Sequence, residues 1–222
     1  TADAAQCSAV VNYVAPTSSD NCGVTSFTST HDNGDTFAVG TTTVTYTAED
    51  AAGNQTTSSF TVTITDDEAP VIANTPANID QNTDADACVA TVTWTEPTDS
   101  DNCGSTMTST HSPGDTFAPG TTTVTYTATD AASNTTTSSF TVTVTDAQPP
   151  SLTNMPGNIT QSNDAGVCSA VVTWTAPNHS DNCSSVLSST HDSGDTFAVG
   201  TTTVTYTATD PAGNTASASF TV

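Results

Sequence analysis

Short runs of the chain alternate apolar and hydroxyl side chains with a period of two. Val44, Tyr46 and Ala48 are separated by Thr45 and Thr47, and Phe60, Val62 and Ile64 by Thr61 and Thr63. A strand turns successive side chains to opposite faces, so each run predicts a ribbon with one face for a core and one for solvent. Val92 with Trp94, and Val172 with Trp174, repeat the pattern further along. Threonine, β-branched and hydroxylated, favours the strand while keeping its outer face soluble. Asn33-Gly34, Pro113-Gly114 and Ser193-Gly194, then Gly40, Gly120 and Gly200, supply turns between the runs. Helical periodicity is absent. About seven short strands in about 80 residues predict an all-β, two-sheet sandwich.

That pattern occurs three times. HDNGDTFAVGTTTVTYTAEDAAGN begins at 31, HSPGDTFAPGTTTVTYTATDAASN at 111 and HDSGDTFAVGTTTVTYTATDPAGN at 191, so the interval is the same both times. Such a period predicts a tandem array, with copies over 1–69, 70–149 and 150–222. The first copy has no counterpart of VIANTPANID (71–80) or SLTNMPGNIT (151–160), and the third stops before an equivalent of TDDEAP (65–70). Two explanations fit. The sequence is a window on a longer array, or a neighbouring chain donates the missing first strand.

The chain holds 23 acidic residues and no Lys or Arg, a formal charge of −23. Phosphates are bound by cations that displace their counterions, so nucleic acid and anionic lipid surfaces are excluded as partners. No run of about 18 apolar residues occurs, so direct membrane insertion of this segment is not expected, and no signal peptide is visible. The cysteines fall as Cys7 and Cys22, Cys88 and Cys103, Cys168 and Cys183, with the same separation inside every pair. One pair per copy at fixed spacing predicts one disulfide within each repeat, formed in an oxidising compartment. Closing such a loop is worth about 3 kcal/mol in the chain-entropy model. A zinc site built from each pair with His31, His111 or His191 lacks the four ligands and short Cys-x-x-Cys spacing that structural zinc takes.

The run FAVGTTTVTYTATDPAGNTASASFTV (197–222), its copies at 37–62 and 117–142, the Pro-x-Asn-Ile entries at 76–79 and 156–159, and Asp-Asn-Cys at 20–22, 101–103 and 181–183 resemble the HYR domain, or hyalin repeat. The resemblance covers essentially the whole chain. It implies immunoglobulin-like modules of extracellular proteins, at the cell surface or secreted, associated with cell adhesion. Near-identical copies without Lys or Arg resemble most the HYR arrays of bacterial surface proteins.

Several side chains are candidates for chemistry. His31, His111 and His191 recur in every copy, which suits a structural hydrogen-bonder, and His179 occurs once. No Gly-x-Ser-x-Gly elbow and no phosphate-cradling glycine loop is present, so no catalytic residue and no required cofactor is expected. Hard oxygen ligands suit Ca²⁺. Carboxylates crowd where copies meet, at Asp66, Asp67 and Glu68 and at Asp146, with Asp101 and Asp181 in the Asp-Asn-Cys loops beside them. Asp20 lies in the matching loop of the first copy, and Asp50, Asp130 and Asp210 in Asp-x-Ala-x-Asn loops. The simpler reading is that these loop carboxylates only close side-chain turns. Asn54, Asn134, Asn158, Asn178 and Asn182 satisfy Asn-x-Ser/Thr, and Thr36, Thr116 and Thr196 are recurrent positions for O-linked sugar.

The function expected from these features is mechanical: a structural stalk, fibre or filament in cell-surface adhesion, its partners being neighbouring repeats of the same or identical chains. A glycan- or protein-binding adhesin module and an ancillary part of a larger secreted enzyme are the alternatives. The first would show as distinctive loops in one copy, and the copies differ mainly at substitutions such as Met107 and Leu187.

Overall fold

A computed structural model describes all residues from Thr1 to Val222. It contains twenty strands and no helix, as the period-two pattern predicts. The chain divides into two compact units. One comprises Thr1–Pro76, Glu96–Thr110 and Thr125–Ser139, the other Ala77–Thr95, His111–Val124 and Phe140–Val222. The second copy of the sequence therefore contributes to both.

In the first unit, Val24–Ser29, Gly40–Asp50 and Gln55–Ile64 form a three-stranded antiparallel sheet, with Thr43 opposite Thr61 and Val44 opposite Phe60. Ser8–Val10 and Thr36–Ala38 pair as a second layer. The alternation places Val44, Tyr46, Val62 and Ile64 on the inner face of the larger sheet, where they close against Ala9 and Phe37 of the smaller one. The threonines between them line the outer face, where Thr41 and Thr63 share a hydroxyl hydrogen bond of 3.1 Å. Asn33-Gly34 turns the chain into Thr36–Ala38, and Gly34 takes φ +88°, a conformation that costs a side-chain-bearing residue energy. From the second copy, Val71–Ala73 pairs with Thr98–Ser100, and Ser105–Ser109 runs antiparallel to Tyr126–Asp130.

In the second unit the third copy repeats this plan. Val186–Ser189, Thr203–Thr209 and Thr215–Thr221 form one sheet, and Ser169–Val171 pairs with Thr196–Ala198. Ala170, Val172, Phe197, Val204, Tyr206 and Phe220 are the buried core, with Trp174 and Ile159 packed on it. The Trp174 indole meets Phe220 edge-on at 5.3 Å and donates its N–H to the Tyr206 hydroxyl at 2.7 Å. That contact lets a large ring be half-buried without stranding its polar atom. From the second copy, the Pro-x-Asn-Ile segment continues as Ile79–Asn82 and pairs in parallel with Val142–Thr145.

The cysteine pairing differs from the expectation. Cys7 bonds Cys103, and Cys88 bonds Cys183, with Cα atoms 4.7 and 4.5 Å apart. Each bond therefore links one copy to the next. Cys22 and Cys168, expected to bond Cys7 and Cys183, are free and exposed. The physical reason lies between the two cysteines of a copy. Residues 88–103 contain no glycine and include the strands Ala90–Thr91 and Thr98–Ser100, so they carry the chain away from its start. Cys88 and Cys103 consequently fall in different compact units, while a disulfide holds Cα atoms roughly 4.4–6.8 Å apart.

Candidate functional site

Each inter-copy disulfide stands beside a set of carboxylates, and each set lies wholly inside one compact unit. At the first joint, Asp66 follows the strand Gln55–Ile64, Asp101 opens the Asp-Asn-Cys loop, and Asp130 ends the strand Gly120–Asp130. One carboxylate oxygen from each lies within 4.8 Å of the others. Asp146, Asp181 and Asp210 form the same group at the second joint. Asp66, Asp130, Asp146 and Asp210 are 8, 7, 3 and 5% exposed.

Two asparagines set the geometry of the first joint. The Asn102 amide nitrogen donates to the carbonyl of Gln6 at 3.0 Å and to Asp66 Oδ1 at 3.2 Å. The Asn134 amide nitrogen donates to the carbonyl of Asp66 at 3.1 Å and to Asp130 Oδ2 at 2.7 Å. Each asparagine thus ties the second copy to the first. Asn182 and Asn214 repeat the arrangement, donating to Ala87 and Asp146 and to Asp146 and Asp210. Within the loops, the backbone N–H groups of Cys103 and Cys183 donate to Asp101 Oδ2 at 2.8 Å and Asp181 Oδ2 at 2.9 Å. The side-chain turn of the simpler reading is therefore real, but at Asp101 and Asp181 it occupies only one oxygen of the carboxylate. At Asp130 and Asp210 burial favours the neutral acid, while the side-chain and backbone N–H groups of Asn134 and Asn214 outweigh it and hold the carboxyls below their usual range.

What remains after these bonds is a set of buried oxygens with no partner: Asp66 Oδ2, Asp101 Oδ1 and Asn102 Oδ1 at one joint, Asp146 Oδ2, Asp181 Oδ1 and Asn182 Oδ1 at the other. Buried polar atoms are normally satisfied, and three clustered carboxylates repel by roughly 3–4 kcal/mol per pair at an effective dielectric of about 20. With no Lys or Arg anywhere in the chain, no side chain of fixed positive charge can offset this. Oxygens that share one Ca²⁺ lie about 2.3–2.6 Å from it, hence within about 5.2 Å of each other, and the observed grouping fits. Carboxylate and amide oxygens of this kind could hold a hard divalent cation.

The other candidates take ordinary places. Asp67 and Glu68 lie outside the clusters on exposed positions, where Asp67 Oδ1 accepts from the Thr65 hydroxyl and Glu68 Oε2 from the Ala5 N–H. Asp20 and Asp50 keep their loop bonds, with the Cys22 N–H on Asp20 Oδ2 at 2.7 Å and the Asn54 amide nitrogen on Asp50 Oδ2 at 2.8 Å, but no third carboxylate joins them. His31, His111 and His191 each lie over the following Phe37, Phe117 and Phe197 at 5.0–5.2 Å. The His31 carbonyl accepts from Tyr13 at 2.7 Å and from the Ser29 hydroxyl. His179 is exposed and contacts the Ser185 hydroxyl at 2.8 Å. Thr36, Thr116, Thr196, Asn54, Asn158 and Asn178 are exposed. Asn134 and Asn182 are only partly so, and their amide nitrogens, which a glycan would occupy, are engaged in the joints.

Comparison with known proteins agrees with the threefold structure. Hyalin of Lytechinus variegatus is 40% identical over 224 residues, covering 97% of this chain and 42% of that protein. Hyalin of Strongylocentrotus purpuratus is 40% identical over 222 residues, covering 96% of this chain and 18% of its own length. The chain thus spans less than half of either relative. Among solved structures, Protocadherin Gamma B7 extracellular cadherin domains 1-4 align over 90% of this chain and 66% of theirs, at 15% identity and a TM-score of 0.32. Human CDH23 EC21-23 aligns over 86% of this chain and 78% of its own, at 16% identity and 0.31. The model of the HYR domain matches residues 1–64, 65–144 and 145–222 in succession, and so the chain belongs to the HYR domain family, as three tandem copies of it.

Proposed function

We propose that this chain is a structural, non-enzymatic segment of an extracellular adhesion protein, in which HYR copies are locked to one another by a disulfide and a calcium ion to make a stalk or filament. The observation that carries this reading is the repeated cage of buried, partnerless oxygens at Asp66, Asp101 and Asn102 and at Asp146, Asp181 and Asn182. A cation there neutralises the three carboxylates and bridges consecutive copies, because its ligands come from both sides of each joint. Without it, the same charges push the copies apart. Disulfides at both joints favour an oxidising compartment, and two hyalins as relatives favour an adhesive setting. No ligand set for catalysis competes with this reading, since the recurrent histidines are packed on phenylalanines. Exposed Thr36, Thr116 and Thr196 are the positions we assign to O-linked sugar on such a surface.

Melting of the intact chain in Ca²⁺ and in EDTA tests the proposal. A ligand at about a hundred times its dissociation constant adds about 2.7 kcal/mol per site, so the midpoint should rise in Ca²⁺. The rise should halve in Asp146→Asn and vanish in the Asp66→Asn, Asp146→Asn double variant. Equal midpoints in Ca²⁺ and EDTA for the unaltered protein would sink the reading.

A further inference from the structure

At each joint the disulfide and the carboxylate cage are carried by the same two short segments. Asp101, Asn102 and Cys103 are consecutive: the first two supply buried, partnerless oxygens, and Cys103 bonds Cys7. The facing segment is tied in as closely, for the Asn102 amide nitrogen donates to the carbonyl of Gln6, the residue before Cys7, and to Asp66 Oδ1. The second joint repeats this, with Asp181, Asn182 and Cys183 set against Ala87, Cys88 and Asp146. There the Asn182 amide nitrogen also lies 3.7 Å from Cys183 Sγ, so one side chain touches the sulfur bond while its oxygen belongs to the partnerless set. Thr83 fastens the Cys88 segment to the cage, its hydroxyl donating to Asp146 Oδ1 at 3.3 Å and its N–H to the Thr145 carbonyl at 3.0 Å. Asp146 itself is 3% exposed and leaves Oδ2 without a partner. Cys88, Cys103 and Cys183 are only half-buried, within reach of a small thiol.

We infer that cation and disulfide at each joint form one coupled device: a divalent cation in the cage makes the adjacent disulfide harder for thiols to reduce, and reduction in turn loosens the cation. The coupling rests on the cation reading above and adds a redox control to it. Without the ion, the carboxylates of Asp146, Asp181 and Asp210 repel across the same joint that Cys88–Cys183 closes, and opening the bond relieves them. With the ion, ligands from both segments are held to one centre, so the reduced sulfurs stay near bonding distance and the bond re-forms. The reductant is a small thiol of the glutathione class. One glutathione thiolate attacks a sulfur of the bond, releasing the other cysteine as thiolate and leaving a mixed disulfide. A second thiolate attacks the glutathione sulfur of that mixed disulfide, freeing the remaining cysteine and forming glutathione disulfide. Two glutathione thiols are oxidised, one protein disulfide is reduced, and the two glutathione protons pass to the two cysteines. Linkage makes the effect reciprocal: the factor by which the ion shifts the disulfide equilibrium equals the factor by which reduction weakens the ion.

The intact chain, equilibrated in a glutathione redox buffer with Ca²⁺ or with EDTA, provides the test, and mass-tagging of thiols with peptide mapping reads Cys7–Cys103 and Cys88–Cys183 separately. Both equilibria should lie about tenfold further toward the bonded form in Ca²⁺, inside the roughly 5–150-fold that couplings between sites typically reach. Asp146→Asn should abolish the shift at Cys88–Cys183 while Cys7–Cys103 keeps it, a local pattern that general stabilisation of the fold does not give. Calorimetry of Ca²⁺ binding supplies the reciprocal arm: Cys88→Ser combined with Cys183→Ser should weaken one of the two ions by a similar factor. Loss of the shift at both bonds in Asp146→Asn would overturn the inference, because the ion would then act through the whole fold. Ca²⁺ bound at both joints with disulfide equilibria the same as in EDTA would overturn it too and leave the cation reading standing, whereas no Ca²⁺ bound at all would overturn both.

Discussion

Phe60 and Phe220 occupy the same position in the first and third copies, yet Phe60 is 37% exposed and Phe220 3%. The difference is the cover laid over them. In the third copy the Pro-x-Asn-Ile segment runs along the edge of Thr215–Thr221, with the Ile159 N–H on the Thr221 carbonyl at 2.8 Å and the Thr221 N–H on Asn158 Oδ1 at 3.0 Å. Asn78 does the same for Thr141 in the second copy, where Phe140 is also 3% exposed. The first copy has no such segment within the chain, and Tyr13 stands where the others carry Trp94 and Trp174, meeting Phe60 edge-on at 5.0 Å. The copies also differ at their acidic loops: Asp210, whose partner Asn214 reaches the Asp146 carbonyl of the adjoining copy, is buried, and Asp50 is not. The edge of the sheet is thus covered where a Pro-x-Asn-Ile segment runs along it, and the acidic loop is buried where an adjoining copy meets it.

Breaking a joint should have the largest effect. Cys88→Ser opens a bond that spans 95 residues, for which the chain-entropy relation gives about 4–5 kcal/mol. Cys22→Ser should leave the melting midpoint of monomeric protein unchanged, because its sulfur closes nothing. Equal loss in the two variants would mean that Cys22 closes a bond as Cys88 does, as the intra-repeat pairing of Cys7 with Cys22 requires.

The next largest separates covered from uncovered core. Phe220→Ala should cost about 3–5 kcal/mol, whereas Phe60→Ala should cost less than about 2 kcal/mol, since much of that ring already faces water. Hydrogen exchange of the strand bearing each substitution reads the difference locally. If Phe60→Ala weakens its strand as much as Phe220→Ala does, the missing cover is not what distinguishes the copies.

The smallest effect concerns acid. The Asn54 side chain and then its backbone N–H hold the Asp50 carboxyl below its ordinary value of 3.8, against the opposing pull of burial. A carboxyl depressed on folding contributes stability that is complete above its unfolded value and is lost as the pH falls through the folded one. Asn54→Ala should therefore flatten the acid limb of the first copy's stability curve, followed by hydrogen exchange in the loop. An unchanged limb would show that this bond does not sense folding.

Most of the fold is legible in the chain itself. Val44, Tyr46, Val62 and Ile64 advertise a strand pair because burial on one face needs only a period of two, and the regular recurrence of the motif fixes how often that pair is built. Asp66, Asp101, Asp146 and Asp181 can be singled out because acidic loops at copy boundaries are visible in one dimension. Their grouping with Asp130 and Asp210, and the orientation of Asn102 and Asn182, are not, since these depend on how consecutive copies meet. The sulfur pairing is misleading for a related reason: the two cysteines of a copy are close enough along the chain to suggest a closed loop. The alternation through Val92 and Trp94, with no glycine before Asp101, is the sign that those residues run extended.

The crossed sulfur bonds have a consequence for a chain under tension. Cys7–Cys103 and Cys88–Cys183 overlap only along the short stretch from Cys88 to Cys103. A pull on the two ends therefore passes from Cys7 straight to Cys103, backwards along that stretch to Cys88, and out through Cys183. Were every sheet to melt, the bypassed polypeptide would hang slack, and the taut path between Cys7 and Cys183 could lengthen to only about 50 Å at roughly 3.5 Å per residue. Between Cys7 and Cys183 the two bonds thus cap how far unfolding can lengthen the thread.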